Sequence, residues 1–437
     1  MNDFLNIQSV ATNRFLEYAD EIGRHLSRTS VWDKEGKYCT WLGRRDIADK
    51  DLAPYSERNA SLSPEFYSGT AGVALFLIEL YEATLETHYR NVAVAAWKRS
   101  VTYMEVNEFP APAISFYAGE LGVLYVGFRM VEIEPQLKSE LKKYLEWLCD
   151  RLEGGLNVKH PLDLIGGNAG AIAPLLYLAQ KHGLNFCVPL AKKCADELVG
   201  LARWNGSICY WEAPKIHGVE IDNPPLTGFA HGASGIGMAL LEAYRKFGDE
   251  GYLKHAIGAY NFEDALFNPD MGNWVDTRYK HSRKDGKIHG TFRGAWCHGA
   301  PGIAISHMRA FFLNERNRQF HRDRLDSAIL TTQSLLKQKL VAPKKDASLC
   351  HGVFGLLDIL LSYSSLYGDE QLLEDIHETA NAYLSGFSDP AKLPSGLVAG
   401  GYSPALMVGL SGVGLSCLRM TNNKVPSALG IFQLAVQ

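Results

Sequence analysis

The sequence predicts an all-α protein of the α/α toroid class, with seven inner helices ringed by seven outer ones. Two observations carry that reading. First, a Gly-x-x-Gly motif followed by an apolar run recurs seven times, at 69–72, 119–122, 167–170, 232–235, 299–302, 352–355 and 409–412. The copies start 50, 48, 65, 67, 53 and 57 residues apart, which leaves room in each unit for two helices. Second, the segments after the glycines are apolar almost all round, whereas the intervening segments are amphipathic. Alternating β-branched runs are scarce. An open helical solenoid is the other architecture that the repeat allows. The ring is preferred because copies reach both ends of the chain, and a ring needs no capping repeats.

The elements follow in order. Residues 1–60 lie outside the repeat: 15–26 reads as one amphipathic helix and 30–63 as a polar loop, an extension packed on a toroid domain of 61–437. The runs VALFLIEL, VLYVGF, AIAPLLYLA, IGMALLEAY, IAISHMRAFF, LLDILLSY and VGLSCLRM then read as the inner helices. Glycine before each suits tight turns and close backbone approach. Between them, Leu141, Tyr144, Leu145, Leu148, Cys149 and Leu152 fall at i, i+3, i+4, i+7, i+8 and i+11, a one-sided helical stripe. Segments 325–340 and 371–384 look similar. The longest irregular internal stretch, 272–294, carries Arg278, Lys280, Arg283, Lys284, Lys287 and Arg293, a basic patch in an acidic protein.

Composition narrows the function. Lys+Arg number 44 against 48 Asp+Glu, a net charge of −4, which argues against a nucleic-acid binder. No apolar run reaches the ~18 residues of a membrane span. The N-terminus lacks a basic n-region and a long apolar h-region, so no signal peptide is expected. Eight cysteines are too sparse for a disulfide framework, and a cytoplasmic location is expected.

In a ring all seven glycine motifs sit at helix N-termini facing one end, where the helix dipoles favour an anion or thiolate. Polar residues beside the glycines then converge. Repeat five has Arg293-Gly-Ala-Trp296-Cys297-His298-Gly299, repeat six Cys350-His351-Gly352, repeat four His231-Gly232 and repeat three Asp163-Leu-Ile-Gly166-Gly167. Two Cys and up to three His on a common axis make a credible zinc site, and a catalytic zinc keeps a fourth position open. Spacing alone does not rank His298 against His351: one ligates, the other acts as an acid. His231 has a site position. Asp163 is either a site residue or an N-cap. Cys39, Cys149, Cys187, Cys194, Cys209 and Cys417 lack the Cys-His-Gly context and read as packing or surface residues.

The glycine repeats, Trp-Cys-His-Gly at 296–299, Cys-His-Gly at 350–352 and His-Gly-x-Ser-Gly at 231–235 resemble the LanC family of lanthionine synthetase cyclases and LanC-like proteins. The resemblance runs from about Ser61 to the C-terminus. It implies an α/α toroid with one zinc per chain, ligated by Cys297, Cys350 and His351. It places His231 on the active-site histidine, Asp163 on its acidic companion and Arg293 on a catalytic arginine. His298 follows the first zinc cysteine, where some members carry tyrosine, and both groups exchange protons. The resemblance further implies a dehydrated, Cys-containing precursor peptide as substrate. Nothing in the chain resembles the family's dehydratase domain, so a separate dehydratase is the expected partner.

The chemistry that follows is a Michael-type addition. A free thiol titrates near pH 8.5, so zinc is needed to make thiolate the main form at neutral pH. The thiolate adds to the β-carbon of dehydroalanine or dehydrobutyrine. Arg293 stabilises the enolate oxygen, and His231, oriented by Asp163, or His298 protonates the α-carbon. The basic stretch 276–293 guides the peptide. Two other readings use the same residues: transfer of an external thiol such as glutathione, and a non-catalytic peptide scaffold whose zinc is closed by His298. An α/α-barrel glycosidase would need a carboxylate pair, and besides Glu120 only Asp163 stands beside the glycines.

Overall fold

A computed structural model describes residues 2–47, 56–107, 113–212, 224–342, 346–397 and 400–430. Among the described residues the chain forms fourteen α-helices, in order α1 (Asn2–Thr29), α2 (Thr70–Thr84), α3 (Thr87–Val106), α4 (Glu120–Ile133), α5 (Leu137–Glu153), α6 (Asn168–His182), α7 (Cys187–Gly200), α8 (Ala233–Phe247), α9 (Glu250–Ala265), α10 (Ala300–Leu313), α11 (Arg318–Val341), α12 (Val353–Tyr367), α13 (Glu370–Leu384) and α14 (Leu410–Thr421). No described helix is long and apolar enough to cross a membrane.

The seven even-numbered helices each start directly after the first glycine of a motif, as the repeat predicts. The reason is steric. The chain upstream folds back across the first helical turn. A Cβ on Gly119, Gly167 or Gly409 would lie 2.0, 1.9 or 2.1 Å from the carbonyl oxygen six residues earlier. The second glycine meets the same obstacle: 1.8 Å at Gly170, 1.9 Å at Gly302 and 1.9 Å at Gly355. The same fold-back satisfies an N–H that a helix start otherwise leaves open. In six repeats the first helical N–H donates to the carbonyl seven residues upstream: Thr70 to Ser63, Glu120 to Ala113, Asn168 to Pro161, Ala233 to Leu226, Val353 to Asp346 and Leu410 to Ser403.

Burial separates the two kinds of helix. Thr70 through Leu80 of α2 and Ala233 through Ala243 of α8 are buried without a break. In α5 only the predicted stripe is covered, with Leu141, Leu145, Leu148 and Leu152 buried while Lys142 and Lys143 are exposed. Neighbouring Gly-capped helices are also tied by buried ion pairs. Arg129 of α4 grips Glu79 of α2 at 2.6 and 2.9 Å, Arg309 of α10 holds Glu242 of α8, and Arg419 of α14 holds Asp358 of α12. Five of these six residues stand ten positions after the first glycine of their repeat. A mismatched neighbour would leave a buried charge unpaired, which costs several kcal/mol.

The helices fall into two compact units. The first comprises the described parts of 1–110, 122–149 and 338–429, and the second those of 111–121, 150–337 and 430–437. In the first, α1 packs on α14 and α2. The N-terminal helix, longer than the expected 15–26, thus packs against the last described helix, as an extension of the repeat. The second unit holds α6 to α10 and most of α11, with α8 packed on α6, α9 and α10.

Two stretches expected to be irregular contain hairpins. Within 30–63, β1 (Val31–Trp32) pairs with β2 (Cys39–Thr40), and β3 (Leu42–Ile47) with β4 (Ser56–Ser61). Asp33 closes the first turn by accepting from the N–H groups of Lys37 and Tyr38, and Cys39 and Trp41 anchor it in the core. The Trp41 indole N–H donates to Leu26 O at 2.8 Å. β5 (Arg203–Asn205) pairs with β6 (Ile208–Tyr210). Within 272–294, β8 (Asn273–Trp274) pairs back to β7 (Phe267–Asn268), and β9 (Ser282–Lys284) pairs with β10 (Lys287–His289). The last turn is Asp285-Gly286 at φ 50° and 75°, the Asp-Gly signature of a tight hairpin, set in too polar a run to read as strand.

Candidate active site

The turns that precede α6, α8 and α10 lie side by side in the second unit. Leu164 N and Ile165 N both reach Ala230 O, and Ala230 N donates to Cys297 O at 3.2 Å. This backbone lacing places Asp163, His231 and Cys297 on consecutive turns. Asp163 is 5% exposed; its Oδ1 accepts from Gly166 N at 2.7 Å and its Oδ2 from His231 Nδ1 at 2.6 Å. It is therefore the partner of His231 and not the N-cap of α6, a position taken by Gly167. With Nδ1–H engaged, Nε2 of the half-buried His231 is the nitrogen available for chemistry. A cleft of about 370 Å³ opens beside it, walled by Leu162, Leu201, Trp211, Leu226 and Ile236.

The His231 turn is braced from below. Glu263 of α9, buried, accepts from Gly228 N at 2.9 Å and Ser234 N at 2.8 Å through one oxygen. Burial pushes its carboxyl up to about 8, against the pull of those two donors. Sequence reading missed Glu263, because it stands 32 residues after His231 on a partner helix with no motif around it.

The fifth turn departs from the common pattern. Gly299 has φ 91°, a left-handed value that only glycine holds easily, and it bridges to Gly294. The first N–H of α10 goes to the Asn273 side chain at 2.8 Å, and Asn273 Nδ2 donates to Arg293 O. Trp296 is buried, edge-on to Tyr117 and Phe229. Cys297 is half-buried, while His298 is 4% exposed. Burial and the nearby Arg278 charge push the His298 imidazole down to about 4, so it is neutral at pH 7. Its ring centre lies 5.8 Å from that of His231.

Arg293 and the other basic residues of the stretch have different partners. Arg293 Nη2 donates to the Tyr279 hydroxyl at 2.6 Å, and its Nε lies 3.9 Å from Asp276 Oδ2. Arg278 grips the same buried Asp276. Lys287 pairs with Asp270 at 2.5 Å, and Arg283 donates to Ala265 O and Gly286 O. Lys280 and Lys284 are exposed. Several charges of the stretch are therefore paired within the protein, while Lys280 and Lys284 face solvent.

The first unit carries Cys350 and His351. Cys350 is 3% exposed, with its N–H on Met407 O. His351 Nε2 donates to Gly396 O at 2.7 Å, and a Cβ on Gly396 would press on Ser348 Oγ and the His351 ring. Nδ1 of His351 is buried and has no hydrogen-bond partner among the described residues. A histidine whose far nitrogen is anchored to a carbonyl presents a lone pair at the other, the form that binds a metal. Cys297 and Cys350 carry thiols, and none of the eight cysteines forms a disulfide. The donor types thus fit zinc. No group of three or more His, Cys, Asp or Glu side chains among the described residues is assembled around a metal position. The remaining cysteines behave as packing groups: burial pushes Cys39, Cys194 and Cys209 up to about 12 and Cys417 higher.

Repeated Gly-capped helices and site residues on the turns before them define an α/α toroid with a histidine–carboxylate pair and a Cys-His donor set. The family model described as "Lanthionine synthetase C-like protein" matches residues 60–432, and the chain belongs to that family. The chain is 25% identical to the lacticin 481/lactococcin biosynthesis protein LcnDR2 of Lactococcus lactis subsp. lactis, over 86% of this chain and 38% of that protein, so it spans well under half of that relative. It is 23% identical to the nisin biosynthesis protein NisC of the same organism, over 78% of this chain and 88% of the relative. The solved nisin cyclase structure superposes with a TM-score of 0.62 at 18% identity, over 83% of this chain and 89% of that one, which shows the shared fold.

Proposed function

We propose that this chain is a zinc-dependent lanthionine synthetase that closes thioether rings in a dehydrated, Cys-containing precursor peptide. The observation that carries the reading is the Asp163–His231 pair, laced through Ala230 to the turn that presents Cys297. The names of the relatives, lacticin 481/lactococcin and nisin biosynthesis, support a lantibiotic precursor as substrate class.

Cys297, Cys350 and His351 would hold the zinc, whose positive charge would favour the thiolate form of the substrate cysteine. The thiol proton passes to His231 Nε2, and the imidazolium so formed is held by Asp163. The sulfur forms a bond to the β-carbon of dehydroalanine or dehydrobutyrine, and the alkene electron pair moves to the carbonyl oxygen as an enolate. Arg293 offers a guanidinium to that oxygen. His231 then returns its proton to the α-carbon. Atoms balance without a redox step or an organic cofactor. A separate dehydratase would supply the substrate. A reducing cytoplasm suits a site that depends on thiols.

The test is a mass measurement. A dehydrated Cys-containing peptide incubated with the chain should keep its mass and lose its free thiol, because an intramolecular thiol has a large effective concentration. A glutathione adduct on a dehydrated peptide lacking Cys would assign the chain to external-thiol transfer. Binding of peptide with no loss of thiol would leave a scaffold.

A further inference from the structure

We propose that Asp276 and Arg278 belong to the catalytic machinery: Arg278 offers a second guanidinium, beside Arg293, to the oxygen that gains charge as sulfur adds, and Asp276 positions both. The proposal rests on the thioether-forming reading and names residues that the reading does not use.

Asp276 is 2% exposed and fixed by its own N–H to Thr291 O at 2.8 Å. Its carboxylate accepts from Arg278 Nε at 2.9 Å, Arg278 Nη2 at 2.6 Å and the Arg278 N–H at 3.1 Å. Arg293 Nε approaches it to 3.9 Å from the other strand of the stretch. Tyr279 completes the group: its hydroxyl accepts from Arg293 Nη2, and its ring centre is 5.1 Å from the Arg293 guanidinium and 6.0 Å from that of Arg278.

Charge counting gives the function. One carboxylate offsets one of the two guanidinium groups, so the cluster keeps one positive charge in excess. That charge lies beside the site turns: Thr277, between Asp276 and Arg278, accepts from Thr227 N at 3.3 Å, Thr227 Oγ1 donates to Val275 O at 2.6 Å, and a Cβ on the next residue, Gly228, would lie 3.1 Å from Cys297 O and 3.2 Å from His298 Cα. Arg278 is 42% exposed, so a ligand can reach it, and the grip on Asp276 through Nε and Nη2 leaves the donors of Nη1 for that ligand. A free arginine would lose rotamer entropy on meeting an anion. Asp276 has already ordered this one, which is the pre-organisation that oxyanion stabilisation needs. Lys280, Arg283, Lys284 and Lys287 have no such anchor at the Cys297 turn, which separates Arg278 from the rest of the basic stretch.

The experiment is steady-state cyclisation of a dehydrated Cys-containing peptide by the full-length chain and its variants, with zinc content and thermal midpoint recorded for each. Arg278→Gln should lower kcat by roughly 10²-fold with KM, zinc content and thermal midpoint near wild type. Asp276→Asn should lower kcat by a similar factor. The double variant should be no slower than Arg278→Gln alone, because the two act as one unit. A raised KM with unchanged kcat would make Arg278 a peptide-docking residue and overturn the proposal, as would additive losses in the double variant. A wild-type chain that leaves the peptide unchanged would instead overturn the thioether reading itself.

Discussion

The two Cys-His-Gly turns are the same tripeptide in the same register of adjacent repeats, yet they present opposite residues. At 297–299 the cysteine is half-buried and the histidine buried; at 350–352 the cysteine is buried and the histidine half-buried. The backbone accounts for the inversion. Gly352 caps α12 at φ −98° and follows the common fold-back, whereas Gly299 caps α10 at φ 91° and hands its helix N–H to the Asn273 side chain. Equivalent position in a repeat therefore does not mean equivalent exposure. Nδ1 is buried without a hydrogen-bond partner among the described residues in both His351 and His298; the two differ in that His298 is covered and held neutral by burial, whereas His351 is half-buried.

That contrast can be broken in several ways. The largest effect should come from Cys297→Ala or Cys350→Ala: zinc content falls from about one per chain to near none and cyclisation stops, while far-UV circular dichroism stays helical. Full zinc retention in both variants would remove these cysteines as ligands. Next, His231→Ala should keep zinc and slow cyclisation by roughly 10²-fold or more, whereas His351→Ala should lose or weaken zinc. Exchange of those two phenotypes would reverse the assignment of acid and ligand.

The backbone half of the comparison is open to Gly299→Ala and Gly352→Ala. Both add a clashing Cβ, but only position 299 also needs a positive φ. Gly299→Ala should cost about 1–3 kcal/mol more in denaturant unfolding; equal costs would remove the backbone explanation. A smaller effect concerns the brace under His231. Burial raises the Glu263 carboxyl to about 8 from 4.5, so the folded state holds its proton more tightly than the unfolded chain. Its contribution to stability is full below the unfolded value and is lost as pH rises through the folded one. The thermal midpoint of wild type relative to Glu263→Gln should therefore fall between roughly pH 5 and pH 9, and parallel curves would count against it. Smallest of all, Lys280→Gln with Lys284→Gln should change peptide affinity less than about threefold even at low salt, since exposed charges are well screened.

Much of the architecture was legible because it is periodic. The seven glycine motifs located the seven even-numbered helix starts, since a Cβ on the first glycine would meet backbone at 1.9–2.3 Å, which allows no other residue there. The stripe in α5 was legible for the same reason, being a property of neighbouring positions. The hairpins in 30–63 were not, because they are held by single anchors such as Trp41 on Leu26 O, which leave no pattern in a polar run. The ion pair between Glu79 and Arg129 was visible in principle, as opposite charges ten residues after each glycine, but its meaning depends on which helices are neighbours.

At the site, sequence alone determined which residue types stand beside the glycines: Asp163, His231, Arg293, Cys297, His298, Cys350 and His351. Their chemistry and their place at helix starts follow from local composition and spacing. Only the tertiary structure decided what each one faces. Asp163 became the partner of His231 through a bond across 68 residues, His298 became neutral through burial, and Arg293 came within 3.9 Å of Asp276 across the stretch. Burial, hydrogen-bond direction and charge pairing are set by groups distant in the chain, and no local pattern encodes them.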